Sequence, residues 1–326
     1  MKRIFRFSFY IFLMIVLTSG AKKSSFMIVL LPDTQNYTVG FPEIFLSQTS
    51  WISKNADKIS FVLQQGDITN NNKESQWEIA DSAFNLIYGK VPYALSPGNH
   101  DTGENGKTNN RNTDLFNQFF SLEKHKKTSS LQGYFEQGKM DNTWHTFRAG
   151  GLKWIVVSLE FGPRDSVLDW AGTVIKSHPE HKVIINTHAY MYSDNTRMGK
   201  DKGHKWLPED YGIGKDSCTS AVNDGEQMWE KLVKKYPNII LVTSGHVLND
   251  GTGYLVSKGI NGNFVYQMLA NYQTGVEGSV RGGDGFLRML IIDPKNSSIS
   301  VKTYSPYIDK YKTDPDNQFT INNVKF

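Results

Sequence analysis

The chain has 326 residues, and its shares of hydrophobic residues (39%) and charged residues (21%) are ordinary for a globular protein. This composition excludes a disordered chain and a fibre. The formal net charge of +4 becomes +1 without residues 1–21, because that segment holds three basic residues and no acidic ones. So small a charge gives no case for nucleic-acid binding.

The segment at 1–21 has the pattern of a secretory signal peptide. Three basic residues precede an apolar run over 9–17, and small residues follow that run before Lys22. A membrane anchor is the alternative, but the run is shorter than the roughly 18 to 20 residues that cross a bilayer. We therefore predict an exported chain, periplasmic or extracellular, with no membrane span once the signal peptide is removed. The single Cys218 cannot form an internal disulfide and is assigned no role.

Apolar patterns over the first hundred residues predict strands and helices in alternation. Strands are predicted at 26–31, 59–63 and 92–97, and helices at 42–57 and 77–87. The strands are continuous apolar runs, as expected for a sheet that is covered on both faces. The helices have apolar residues at helical spacing, and Pro42 is well suited to a first turn.

The segment at 101–150 has a less regular pattern, apart from a short helical pattern at 113–120. It is either an excursion over the sheet edge at which the strands end, the candidate active edge, or a plain surface insertion. Regular elements then return, with strands predicted at 154–159, 182–186, 239–243, 265–270, 286–293 and 298–304, helices at 167–177 and 224–236, and a long loop at 191–223. No internal repeat and no linker divides the chain after the signal peptide. We therefore predict one α/β domain over 22–326, built from two packed sheets with helices outside.

Polar residues follow the ends of the predicted strands. The clusters are Asp33-Thr34-Gln35, Gly66-Asp67 and Gly98-Asn99-His100-Asp101, and single histidines follow at His188 and His246. Parallel strands place their carboxyl ends on one edge of a sheet, so these side chains are expected to meet there. Carboxylates, an amide and imidazoles in one site suit a pair of divalent cations.

This series of motifs resembles the calcineurin-like metallophosphoesterase superfamily, in a variant with Asp-Thr-Gln at the first strand end. That family has Asp-x-His, Gly-Asp, Gly-Asn-His-Asp or Gly-Asn-His-Glu, a lone His and Gly-His-x-His, in this order. Here the order is kept over roughly residues 26 to 250 and ends in Gly245-His246-Val247-Leu248. The resemblance implies two packed mixed β-sheets flanked by helices. It also implies a hydrolase that uses metal ions to cleave a phosphomonoester or a phosphodiester.

The resemblance also implies a role for each matching residue. Asp67 bridges two cations, one cation takes Asn99, His188 and His246, and the other takes Asp33 and Gln35. A hydroxide held between the cations attacks phosphorus, and His100 hydrogen-bonds to the leaving oxygen or protonates it. The two cations would come from manganese, iron, zinc, magnesium and calcium.

Three residues depart from the family pattern. Gln35 replaces the usual His, Leu248 replaces the last His, and Asn70 stands where the family often has the Asp that orients the catalytic histidine. The missing ligand could be supplied by Asn249, by Asp250 or by water. A weaker second site of this kind favours oxygen-preferring ions such as manganese, magnesium or calcium over zinc.

Two further segments have alternative interpretations. Arg164 could contact a substrate phosphate or form a surface ion pair with Asp165, and the loop at 281–285 could hold a phosphate or be a plain turn. The predicted partner is a phosphorylated substrate, with phosphoproteins, nucleotides, phospholipid headgroups and phosphosugars all open. The alternative function is a catalytically weak protein of the same fold that binds a phosphorylated or sugar ligand, and a third is a structural surface protein.

Overall fold

The computed structural model describes residues 25–128, 130–215 and 222–326. The predicted signal peptide and Cys218 lie outside these ranges. No helix within them is both long enough and apolar enough to cross a lipid bilayer.

The strands and helices of the described residues are numbered in chain order. The strands are β1 (Phe26–Leu31), β2 (Ile59–Gln64), β3 (Tyr93–Ala94), β4 (Leu131–Tyr134), β5 (Thr143–Ala149), β6 (Leu152–Ser158), β7 (Lys182–Asn186), β8 (Ile239–Ser244), β9 (Thr252–Lys258), β10 (Phe264–Ala270), β11 (Leu287–Asp293), β12 (Ser298–Ser305), β13 (Lys310–Lys312) and β14 (Phe319–Ile321). The helices are α1 (Gln35–Gly40), α2 (Pro42–Lys54), α3 (Glu74–Asn85), α4 (Asp114–Phe119), α5 (Leu122–His125), α6 (Asp165–Lys176) and α7 (Gly225–Lys231).

The strands of the described residues form two mixed sheets. One has the order β13-β12-β11-β1-β2-β3, with β14 paired to β12, and the other has the order β4-β5-β6-β7-β8-β10-β9. In the first sheet β1, β2 and β3 are parallel, and in the second β6, β7, β8 and β10 are parallel. Each parallel group therefore presents the carboxyl ends of its strands at one edge.

The two sheets pack face to face, and helices cover their outer faces. Between the sheets, Ile28 and Leu30 of β1 share one buried cluster with Trp154 of β6. The alternate residues of β1 face outward, where Val29 packs in a cluster with residues of α2 and α3. Residues of α6 and α7 likewise pack on Val157 of β6. Both faces of the central strands are buried, which explains their continuous apolar sequences and confirms the predicted fold class.

Most predicted elements are present with small shifts at their ends. Pro42 occupies the first turn of α2, as predicted. The third strand is shorter than predicted, and α7 ends early and is followed by a short 3₁₀ turn at Val233–Lys235. The loop at 191–223 contains 3₁₀ turns at Lys200–Lys202, Pro208–Asp210 and Gly212–Lys215.

Five strands and two helices of the described residues have no counterpart in the sequence prediction. The strands are β4, β5, β9, β13 and β14, and the helices are the short α1 and α5. β4 and β9 lie at the two edges of the second sheet, where many of their residues are half-exposed or exposed. Such edge strands lack the continuous apolar run that identified the central ones. The segment at 101–150 is therefore partly a sheet edge, since it contributes β4 and β5.

Candidate metal centre

The predicted ligands lie just beyond the carboxyl ends of strands from both sheets. Asp33 follows β1, Asp67 follows β2, Asn99 follows β3, His188 follows β7 and His246 follows β8. All five are buried, with at most 6% of each residue exposed. Because the sheets pack face to face, the edges that present the carboxyl ends of the two parallel groups lie side by side. The five side chains meet between these edges.

Three possible ligand atoms lie around the imidazole of His188, which offers a fourth. Its Nε2 lies 3.0 Å from Oδ1 of Asn99, 3.2 Å from Oδ1 of Asp67 and 3.1 Å from Nδ1 of His246. The ligand atoms of the aspartate and the two histidines all lie within 4.8 Å of one another. Two imidazoles, a carboxylate and an amide oxygen at such distances are a donor set for a divalent cation.

Backbone carbonyls fix the tautomers of both histidines. The Nδ1 of His188 lies 2.7 Å from the carbonyl oxygen of Gln65, and the Nε2 of His246 lies 2.8 Å from that of Trp206. A carbonyl only accepts, so each of these ring nitrogens carries the hydrogen and donates it. The other two ring nitrogens, Nε2 of His188 and Nδ1 of His246, therefore face each other and are the ones that a cation could bind, which is the arrangement that outer partners impose on metal-binding histidines.

The other half of the site surrounds Asp33. Both carboxylate oxygens of Asp33 accept the backbone N–H of His246, at 3.0 and 3.2 Å. Gln35 donates its Nε2–H to Oδ2 of Asp67 at 3.1 Å, which joins the two halves through that carboxylate. Gln273 donates its Nε2–H to Oδ1 of Asp33 at 3.2 Å and accepts a hydrogen bond from Gln35. The sequence prediction did not include Gln273.

Three of the predicted ligands have left-handed backbone conformations that are uncommon outside glycine. The φ angles are +37° for Asp33, +50° for Asp67 and +74° for His246. Such backbone strain concentrates at functional sites, where surrounding contacts hold it in place.

Glycines next to the ligands leave space that a side chain would fill. A Cβ on Gly98 would collide with the carboxylate of Asp67, and one on Gly245 would collide with that of Asp33. Gly66 has a φ of +94°, and a Cβ there would collide with the His188 ring. The glycines of the motifs therefore permit the close approach of backbone to ligand.

His100 lies at the rim of this centre and is half-buried. Its Nδ1 lies 2.8 Å from the backbone carbonyl oxygen of Asn70, and its backbone N–H donates to Oδ1 of Asp67 at 2.9 Å. Since the carbonyl of Asn70 requires a hydrogen on Nδ1, the Nε2 is left for chemistry. Thus Asn70 orients the histidine with its main chain, although it lacks the carboxylate that the family often has there.

Asp101 braces the loop that carries His100. Its carboxylate accepts the backbone N–H groups of Gly98, Ile68 and Thr69 at 2.7 to 2.9 Å. Burial, with a smaller effect of the Asp67 charge, raises the pKa of Asp101 to about 6. Asp101 therefore ties the loop after β3 to the loop after β2.

The buried charges shift the pKa values of these residues in opposite directions. Burial raises the pKa of Asp33, whereas the charges of His188 and His100 outweigh burial and lower the pKa of Asp67. The carboxylates, Asp67 foremost, raise the pKa of His188 to about 9 against the effect of burial. Burial and the neighbouring His188 lower the pKa of His246 to about 3. Two buried carboxylates beside two imidazoles form a set of charges that a cation would compensate.

The residues present fit a bound divalent cation. The donor set is appropriate, the histidine tautomers are those of metal ligands, and the glycines leave room for close packing. The amide oxygen Oε1 of Gln35 is also buried without a hydrogen-bond partner, which is costly unless a ligand completes it. The centre opens into a cavity of about 110 Å³ lined by Asp67, Asn99, His100, Trp206, Tyr211, His246, Leu248 and Gln273.

A larger depression, of about 650 Å³, lies elsewhere and includes Lys90, Lys127 and Arg148 in its lining. None of the predicted ligands lines it. The convergence of ligands, rather than the size of the cavity, therefore identifies the candidate site.

Arg164 is bound to carboxylates rather than directed into this cavity. Its guanidinium donates to Glu160 at 2.8 and 3.0 Å and to Glu136 at 3.1 Å. Asp165 pairs instead with Lys231, at 2.7 Å, so the predicted ion pair between Arg164 and Asp165 is wrong.

The two residues after Leu248 have other partners. Asn249 donates to Oγ of Ser193 at 2.7 Å, and Oδ1 of Asp250 accepts the backbone N–H of Thr252 at 3.0 Å. In the loop at 281–285, Arg281 pairs with Asp284 at 2.8 Å across a turn.

Comparison with known proteins is consistent with this geometry. A sequence model of the family described as calcineurin-like phosphoesterase matches residues 27–250. The Bacillus subtilis (strain 168) protein named "Uncharacterized protein YvnB" is 28% identical over 309 residues, which cover 90% of this chain and 21% of the relative. The chain thus spans about a fifth of the length of that relative.

Two solved structures align with most of this chain. Purple acid phosphatase PPD1 from yellow lupin (Lupinus luteus) seeds aligns with a TM-score of 0.54 at 12% identity, over 93% of this chain and 54% of its own. GAP50, described as the anchor in the inner membrane complex of Plasmodium, aligns with a TM-score of 0.47 at 11% identity, over 93% of this chain and 90% of its own. At these identities the lupin structure indicates likeness of fold alone.

Proposed function

Because the chain belongs to the calcineurin-like phosphoesterases, a family of phosphoric ester hydrolases, we propose that it is a metal-dependent enzyme that cleaves a phosphomonoester or a phosphodiester. The observation that carries this proposal is the convergence of Asp67, Asn99 and two imidazoles on one point beside His100. The substrate is a phosphorylated compound whose phosphoryl group enters the cavity next to these residues.

The chain's own residues position the reacting groups. Asn99, His188 and His246 would hold one cation, Asp33 and Gln35 would hold the other, and Asp67 would contribute to both. Divalent cations bound there would draw negative charge from the phosphoryl oxygens and make a water molecule easier to deprotonate. The cation identities are drawn from manganese, iron, zinc, magnesium and calcium.

His100 supplies the proton to the leaving oxygen. The carbonyl of Asn70 keeps Nδ1 protonated, and His100 lines the cavity, so its Nε2 is the atom that can donate, in the imidazolium form in which both ring nitrogens carry a hydrogen. Trp206, Tyr211 and Leu248 form an aromatic and apolar wall beside it. The part of the substrate that leaves would lie against this wall.

The activity test uses the purified protein, added Mn²⁺, and an aryl phosphate and a bis-aryl phosphate as substrates. We expect at least one of these two substrates to be hydrolysed. His100→Ala should lower kcat by about 10²- to 10⁴-fold, the effect typical for the loss of a general acid. His178→Ala is the matched control, because that half-buried histidine hydrogen-bonds within α6 and its following turn, outside the cavity. Absence of hydrolysis over a broad panel of phosphate esters by the metal-loaded protein would refute the proposal.

A second function is favoured by the departures at Gln35 and Leu248. A protein of this fold with one weak cation site could bind a phosphorylated or sugar ligand without turning it over. Binding of such a ligand to metal-loaded protein, with no product formed after prolonged incubation, would support this function. Measurable turnover of the same ligand would exclude it.

We also propose that the chain is exported to the periplasm or the extracellular space, because residues 1–21 have the pattern of a signal peptide. Mass spectrometry of the protein from its native cells should give an N-terminus near Lys22. Recovery of the uncleaved chain from the cytoplasm would contradict this proposal.

A further inference from the structure

We propose that Gln273 takes the place of the missing histidine and completes an all-oxygen cation site with Asp33 and Gln35, in which Asp67 is the shared carboxylate. This inference rests on the proposed function, since it concerns the second cation of the same centre. It makes the two cation sites chemically unlike each other.

Gln273 lies at the same cavity as Leu248, the residue that replaces the family's last histidine. It follows β10 by three residues, and only 7% of it is exposed. Its Nε2–H donates to Oδ1 of Asp33 at 3.2 Å, and its Oε1 accepts a hydrogen bond from Gln35. Gln273 and Leu248 line the same cavity.

The loop that carries Gln273 is bound to the loop that carries Leu248. Its first residue, Asn271, donates its backbone N–H to the carbonyl of Gly251 at 2.7 Å. At its other end the N–H of Glu277 donates to the carbonyl of Asn249, also at 2.7 Å. A Cβ on Gly275 would lie 3.1 Å from Cδ1 of Leu248, so that side chain packs against the loop. These contacts hold the two loops in register.

A further contact ties the same loop to the helix that contains Gln35. The backbone N–H of Thr274 donates to Oδ1 of Asn36 at 2.9 Å. The residues after Gln273 and after Gln35 are therefore bound to each other, and their side chains are held side by side. The loop of Gln273 is thus bound both to the loop of Leu248 and to the helix of Gln35.

The amide groups can supply oxygens to a cation. Both glutamines direct an NH₂ group at a carboxylate, Gln35 at Asp67 and Gln273 at Asp33. Rotation of an amide by about 180° exchanges its nitrogen and oxygen, which are nearly isosteric. A cation between the carboxylates would favour the rotated form, because oxygen is a ligand and NH₂ is not. The unpartnered Oε1 of Gln35 already indicates that its present hydrogen bonding is incomplete.

The donor set predicts which ions each site prefers. Carboxylate and amide oxygens around Asp33 suit Mn²⁺, Mg²⁺ and Ca²⁺, which favour oxygen ligands. The imidazoles of His188 and His246 suit Zn²⁺ and iron as well. We therefore expect the site with His188 and His246, called the first site, to bind several of these ions, and the site with Gln273, called the second site, to bind Zn²⁺ more weakly than Mn²⁺.

The test counts bound ions rather than turnover. Metal-free protein is titrated with Mn²⁺ by calorimetry, and the product is examined by electron paramagnetic resonance. We expect two Mn²⁺ ions in the wild-type protein, with a spectrum that shows magnetic coupling between them. In Gln273→Ala the second ion should bind about 10- to 100-fold more weakly, the range typical for a lost partner at a metal site, and the coupling should disappear at matched concentration.

Three variants serve as comparisons. Gln273→Glu keeps an oxygen ligand, so two coupled ions should remain. Leu248→His introduced into Gln273→Ala restores the family's nitrogen ligand, so the second ion should return. Gln318→Ala changes an exposed glutamine in the turn before β14 and should behave as wild type.

Either of two results would overturn the inference. One is binding of a single Mn²⁺ by the wild-type protein at saturating concentration, and the other is unchanged binding of both ions by Gln273→Ala. Tight binding of the first ion shows that each variant is folded. Two coupled ions in a protein without phosphatase activity would leave this inference standing while the proposed function failed.

Discussion

At the scale of single residues, the centre depends on positions where the backbone approaches a ligand. Asp33, Asp67 and His246 keep left-handed backbone conformations, and glycines lie against two of their side chains. A ligand held in this way loses little freedom when a cation binds, because its orientation is already fixed. The glycines beside these side chains are thus required for the geometry of the site, although they bind no cation themselves.

Gly98→Ala tests this dependence. The added Cβ would collide with the carboxylate and backbone of Asp67, so we expect Mn²⁺ affinity to fall by at least about tenfold, with a loss of stability of about 1 to 3 kcal/mol. Gly40→Ala is the control, because a Cβ there meets no atom within 4 Å. Calorimetric titration and urea unfolding measure the two effects, and wild-type affinity in Gly98→Ala would contradict the argument.

At the scale of elements, helices and loops hold the active edge in place. α5 packs through His125 against β3, the short strand that leads into the motif of His100. The Nδ1 of His125 lies 3.0 Å from the carbonyl oxygen of Ser121, and its Nε2 lies 3.2 Å from the hydroxyl of Tyr93. Burial lowers the pKa of His125 to about 4, so the folded protein keeps this imidazole neutral.

The pH dependence of stability follows from this shift. Below the ordinary histidine pKa of about 6.5 the unfolded chain takes up a proton at His125 that the folded chain does not bind, so stability falls as the pH falls from about 6.5 to 4. Above pH 6.5 the contribution of the neutral imidazole is complete. In His125→Gln this titration is absent, and the stability difference between wild type and variant should change by about 2 to 3 kcal/mol between pH 7 and pH 4. Urea unfolding across this range measures it, and parallel pH profiles would contradict the prediction.

At the scale of the whole molecule, the core between the two sheets aligns the two halves of the centre. One sheet delivers Asp33, Asp67 and Asn99, and the other delivers His188 and His246. The ligands can meet only if the sheets keep their relative position. Trp154 is fully buried in the core between the sheets, where its ring lies 5.9 Å from that of Phe147 and 5.5 Å from that of Phe26.

Trp154→Ala should therefore weaken the entire fold. Removal of this side chain is expected to cost about 3 to 5 kcal/mol of unfolding free energy, as for other large aromatic residues in cores. Val280→Ala, at a position that is 54% exposed, should change stability by less than about 0.5 kcal/mol. Denaturant unfolding of both variants measures the difference, and equal midpoints for the two variants would show that the core between the sheets contributes little.

The amino-acid sequence by itself determined the central strands and the candidate ligands that follow them. Continuous apolar runs such as 26–31 identify strands buried on both faces, and the strand ends place the polar motifs at one edge. The tertiary structure alone decided the edge strands and the position of Gln273 beside Gln35 and Asp33. That glutamine and Gln35 are 238 positions apart, and hydrogen bonds between distant loops bring them together. No local pattern in the sequence encodes such a contact, because it depends on how the two sheets pack.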